Sequence, residues 1–275
     1  MSTADLEERG IITAAAVDGS NGLLNGLAGW PQGAVLHLHP FPAASAAHGI
    51  VPQEWLDTAA RWLAAQARPG ARAAAGVDGF QFDAAVADTS ALLAEAASAS
   101  ANCLVVHGEA GGQVNAIHLH HLVEPALLLA MGGQSADLST AVPALQEVGR
   151  QIAPQVAYAC ISVEPTLAAL WQGHPTVDGM RDEMALLVRQ VVDEVALDGF
   201  CWQVLTQRHL DRLGGAQHDD RPLPAVEVAV GNTDDWLPGS PTAGKVRERA
   251  RILLDGVLVD DIEATRLVRA RRHGT

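Results

Sequence analysis

Apolar residues recur at helical spacing from Pro52 to Arg68, where Trp55, Leu56, Ala59, Trp62 and Leu63 share one stripe and Pro52 stands near the start. This pattern predicts an amphipathic helix. Other segments change period. Ala34 to Phe41 (AVLHLHPF) is a short apolar run with histidines two apart, closed by Pro40 and Pro42, and predicts a strand. Gly79 to Ala87 alternates as a strand, and Thr89 or Ser90 can cap a helix to about Ser100. Cys103 to His107 and Val114 to Val123 read as two strands joined by the permissive Gly108-Glu109-Ala110-Gly111-Gly112, hence as a hairpin with His107 and Glu109 near its tip.

An apolar stretch follows Pro125 and ends at Met131, after which Gly132-Gly133 and a polar loop mark the expected boundary. Beyond it the pattern predicts a helix from about Ser139 to Arg150, a strand from Val156 to Val163 and a helix from Val177 to Val195. A strand from Phe200 to Leu205, a helix from Gln207 to Leu213, a strand from Ala225 to Val230 and a helix from Thr242 to Leu254 complete the chain. Asp78-Gly79-Phe80-Gln81-Phe82 reappears as Asp198-Gly199-Phe200-Cys201-Trp202, with strands near Val35 and Val156 at nearly the same offset. The expected fold is therefore α+β. It would consist of two related α/β halves, residues 1–133 and 134–275, of ferredoxin-like type with sheets covered by helices.

The charge balance narrows the partners. Eighteen basic residues against 32 acidic ones give a net charge of −14, which disfavours nucleic acid and anionic lipid. The exception is residues 245–275, whose Lys245 and arginines suit either an anion-binding tail or a frayed, solvated helix end. Arginine in place of lysine, with abundant alanine, suggests a bacterial source with a GC-rich genome. The acidic start Met-Ser-Thr-Ala-Asp-Leu-Glu-Glu lacks the features of a signal peptide and no long apolar run occurs, so the expected compartment is the cytoplasm. Cys103, Cys160 and Cys201 read as reduced core residues.

Histidine carries the candidate chemistry. Residues two apart on a strand share a face, so His37 pairs with His39 and His118 with His120. If the two strands were neighbours, four imidazoles would converge. His107 and Glu109 would be further ligands from the hairpin, and Asp83 or Glu124 the carboxylates that orient the rings. Such a set suits a divalent transition metal, Zn, Fe, Cu or Ni, in a metal-dependent hydrolase or redox enzyme. The same histidines also fit a strand that is half-buried or faces a partner. No nucleophile elbow, phosphate loop, CxxC pair or dinucleotide fingerprint is present, so no catalytic side chain is assigned.

Trp30 and Trp236, beside prolines in loops, are candidate anchors for a protein contact. Trp202-Gln203-Val204-Leu205-Thr206-Gln207-Arg208-His209-Leu210-Asp211-Arg212-Leu213-Gly214-Gly215 resembles a signature of bacterial immunity-protein-like families of unknown function. The resemblance covers residues 202–215 only. It implies the alternative to a metalloprotein, a non-catalytic protein that binds a toxin or another protein partner.

Overall fold

The computed structural model describes residues 35–42, 51–78, 80–108, 114–120, 126–132, 138–152, 156–164, 191–196, 200–213, 226–236, 240–258 and 261–273. Its strands are β1 (Val35–Pro42), β2 (Arg72–Val77), β3 (Phe80–Ala85), β4 (Cys103–Gly108), β5 (Val114–His120), β6 (Ala126–Gly132), β7 (Val156–Glu164), β8 (Phe200–Leu205) and β9 (Val226–Ala229). Its helices are α1 (Gln53–Ala65), α2 (Thr89–Ser98), α3 (Leu138–Ile152), α4 (Gln207–Arg212), α5 (Ala243–Leu253) and α6 (Asp261–His273). The fold is α+β. Among the described residues no helix is long and apolar enough to cross a membrane.

The nine strands among the described residues belong to one sheet in the order β3-β2-β4-β5-β6-β1-β7-β8-β9, and every neighbouring pair is antiparallel. The sheet crosses the expected boundary near residue 133, because β1 lies between β6 and β7. The two strands that follow Asp-Gly occupy different positions. β3 is at one edge, whereas β8 stands between β7 and β9.

Strand β2 was absent from the expected pattern, and Asp78-Gly79 explains it. Val77 pairs with Phe80, so only those two residues join β2 to β3, and Asp78 adopts φ 45°. Asp-Gly with a left-handed first residue is the usual two-residue hairpin turn. The Asp78 carboxylate also accepts a 2.8 Å bond from the Asn102 amide, tying the turn to the start of β4.

Alternation along the strands gives the sheet two faces. One presents Ala75, Val105, Ile117, Leu129 and Ile161 to a layer containing Trp55, Leu63, Leu93 and Leu145 of α1, α2 and α3. This is the larger core. The apolar stripe expected on α1 is the one it buries. Thr89 does not cap α2. Asp88 holds that position without a side-chain bond, and Ser90 instead donates to the Asp57 carboxylate, linking α2 to α1.

The other face carries two clusters. Leu104, Val106, Val114, Ala116, Leu128 and Ala130 are buried over β4, β5 and β6. Cys160 and Leu205 are buried with Val191, Val195, Leu254, Val257 and Val268 over β7 and β8.

Candidate functional site

The register settles which histidines can meet. In an antiparallel ladder, directly opposed residues lie on the same face. His37 is opposite Ala130 of β6 and Ser162 of β7, and His39 is opposite Cys160 of β7. Ala130 and Cys160 belong to the clusters on the face away from α1, α2 and α3, so positions 37 and 39 lie on that face too. His118 is opposite Leu104 and Leu128 of the same side, and position 120 follows by alternation. All four positions share one face.

Their strands are not neighbours, however. β6 intervenes between β1 and β5, which separates the two pairs by two strand spacings, about 9.5 Å. The strand order overturns direct pairing, and the reason lies after Pro125. Leu127, Leu128 and Leu129 return the chain as β6, a hairpin partner for β5 on one side and the partner of β1 on the other.

His107 is corrected outright as a fifth member. It follows Cys103 and Val105 on the helix-covered face, so the sheet stands between it and the other four. Its ring is buried, faces buried Asn115 across the β4–β5 ladder, and donates from Nδ1 to the Arg72 carbonyl at 2.9 Å. Asp83 cannot orient the rings either. It sits on edge strand β3, exposed and within 3.9 Å of Arg72. Glu109 and Glu124 lie outside the described residues.

His118 is 6% exposed, and it is the only one of the four whose side chain is described. Among the described side chains, no three His, Cys, Asp or Glu groups come together as a metal site.

The structure adds two residues that pattern alone did not single out. Cys160, read as plain core, stands opposite His39, and Gln203 of β8 stands opposite Cys160. Both are buried. One row across the face therefore runs Gln203, Cys160, His39. Continuing the β1–β6 register one residue past Leu38–Leu129 brings His39 level with Leu128, whose other neighbour is His118. No local signal could have revealed this row, because three strand pairings define it.

The remaining candidates resolve into structure. Burial pushes the Cys103 and Cys201 thiols up to about 12, so both are protonated and neither is an activated nucleophile. Trp236 is buried and donates to the Val230 carbonyl at 2.6 Å, a core contact and not a surface anchor, while Trp30 lies outside the described residues. The basic C-terminal segment forms two helices, α5 and α6, and α6 is docked. Val268 of α6 is buried, and Arg271 donates to Asp193 and Glu194 at 2.6 Å each.

His209, within residues 202–215, carries a role that the sequence pattern did not signal. It is fully buried, and its Nδ1 accepts from the Thr206 amide and hydroxyl at the start of α4 while Nε2 donates to the Val195 carbonyl at 3.1 Å. Burial lowers its pKa, so it stays neutral and serves as a clamp between α4 and residues 191–196.

Comparison with protein-family models, curated proteins and solved structures finds no match to this chain.

Proposed function

We propose that the chain binds a divalent transition metal, Zn, Fe, Cu or Ni, through His37, His39, His118 and His120 on one face of the central sheet. One observation carries the reading: the register puts positions 37, 39, 118 and 120 on the same face, with β6 alone between the two strands that carry them. Neutral imidazoles are the commonest transition-metal ligands, and a separation of two strands is within the combined reach of two rings directed at one ion. A metal held there with an open position would lower the pKa of its bound water towards about 7, or cycle its oxidation state. Hydrolysis and redox chemistry are the two activities that such a site supports.

Protein made without a histidine tag is expected to hold metal near one equivalent and to lose thermal stability with a chelator. His39→Ala and His118→Ala should each lower the metal content, while His107→Gln, on the opposite face, should leave it unchanged. Metal-free protein that is indifferent to chelator ends the proposal.

A second reading, a non-catalytic interaction protein of immunity type, is favoured by a different observation. Ile252 and Leu253 of α5 and Ile262 of α6 are exposed, at 70%, 52% and 81%, on a chain of net charge −14. A partner with an apolar contact would suit that surface, which is locally basic within an otherwise acidic chain. Loss of a co-purifying partner on Ile252→Asp with Ile262→Asp would support it, and an unchanged partner profile would not.

A further inference from the structure

We propose that the outer side of α5 pairs antiparallel with the same helix of a second copy of this chain, about a two-fold axis at Ile252. The inference takes up the apolar surface on which the interaction reading rests and names its occupant.

The helix itself defines the surface. Val246, Ala250 and Leu254, four residues apart, are buried and fix the inner side of α5. Lys245, Glu248, Arg249 and Ile252 are exposed and stand three or four positions apart, so they form one outer stripe, which exposed Leu253 borders. Single exposed apolar residues are ordinary, whereas a cluster marks a contact surface. Of the five large apolar residues exposed among the described ones, Ile252, Leu253 and Ile262 fall here. Arg212 ties them together. Its guanidinium donates to the Gly256 carbonyl at 3.3 Å and lies 3.9 Å from the Glu263 carboxylate, so the start of α6, with Ile262, sits beside the end of α5.

Charge decides the occupant. The surface is basic towards the start of α5, at Lys245 and Arg249, and acidic just after its end, at exposed Asp255. Among the described residues none of these three is paired with another charged side chain. A two-fold axis across antiparallel helices brings level those residues that stand equally far from the axis in opposite directions. Arg249 precedes Ile252 by three residues and Asp255 follows it by three, so Arg249 of each copy meets Asp255 of the other. Glu248 and Gly256 stand four residues either side of Ile252, which sets a residue without a side chain opposite Glu248 and permits close approach. Ile252 meets its own copy at the centre, where an interface is most apolar. The surface therefore complements itself under one rotation. A nucleic acid or an anionic lipid would instead set Glu248 and Asp255 against like charge.

Sedimentation velocity of the untagged full chain tests this. A concentration series is expected to show a monomer–dimer equilibrium, and Ile252→Asp should raise the dimer dissociation constant at least about tenfold with an unchanged circular dichroism spectrum. Arg249→Asp and Asp255→Arg should each weaken the dimer. Combined in one chain they should restore it, because both ion pairs are rebuilt in the opposite sense. A wild type that stays monomeric up to its solubility limit overturns the second copy as occupant, while a partner lost on Ile252→Asp with Ile262→Asp would still uphold the interaction reading. A dimer indifferent to Ile252→Asp overturns α5 as the interface, and charge variants whose losses add in the double exchange overturn the two-fold register.

Discussion

On the helix-covered face the strands present Ala75, Val105, Ile117, Leu129 and Ile161, and Trp55, Leu63, Leu93 and Leu145 close over them. The opposite face of the same strands also buries leucine and alanine, but among them stand His118, Cys160 and Gln203, with positions 37 and 39 in the same rows. The helix-covered face is buried along β2 to β8, whereas the opposite face is buried over β4 to β8 and open to solvent at Ala74 and Asp83. Apolar packing needs no partner, whereas each buried polar group must be matched or it costs stability. Around β7 and β8 the matching is visible: His209 is bonded through both ring nitrogens, and Arg208 and Arg271 converge on Asp193 and Glu194. The helix-covered face buries the larger apolar core together with His107 and Asn115, whereas the opposite face divides into two smaller clusters beside His118 and Gln203.

The largest expected effect lies on the first face. Leu63→Ala empties a fully buried position in the α1 stripe and should cost about 2–5 kcal/mol in a urea titration, equally at neutral and mildly acidic pH. A loss well below that range would mean that the helix layer is not what secures this face.

Next comes the pH dependence assigned to His209. Its pKa in the folded protein is lowered by burial, so the unfolded chain binds the proton at higher pH than the folded one. The stability it contributes is present above the ordinary imidazole range and lost as pH falls through that range, with a slope that one proton limits to about 1.4 kcal/mol per pH unit. Urea midpoints of the wild type should fall from about pH 7.5 to about pH 5.5, and His209→Gln should flatten the decline. An identical decline in the variant would remove His209 from the account.

The smallest effect is ionic. Arg271→Ala removes two bonds to Asp193 and Glu194, but the guanidinium is a third exposed and Arg208 remains on the same acids, so about 1 kcal/mol is expected. Adding salt should narrow the difference from wild type in the same titration. A difference that is large and insensitive to salt would show that α6 is held by more than charge.

Much of this was legible in advance. Trp55, Leu56, Ala59, Trp62 and Leu63 announced α1 and its buried side, and the alternation of Cys103 to His107 against Val114 to Val123 announced the β4–β5 hairpin. The strand-to-helix step at Trp202 to Arg212 was equally plain. β2 was hidden because Arg72-Ala73-Ala74-Ala75-Gly76-Val77 is too rich in alanine and glycine to show alternation, and its true marker, Asp78-Gly79, also fitted a repeat. The long helix expected at 177–195 falls largely outside the described residues.

The chain alone determined that His37 goes with His39 and His118 with His120, because a strand's period of two is a local property of the backbone. It also determined the acidic charge and the α1 stripe, which depend on composition and spacing only. Which strand lies beside which was decided by tertiary structure alone, since many apolar strands can pair with similar energy and the choice depends on closing the whole sheet at once. That choice put β6 between the two histidine pairs, moved His107 to the far face and brought Cys160 opposite His39.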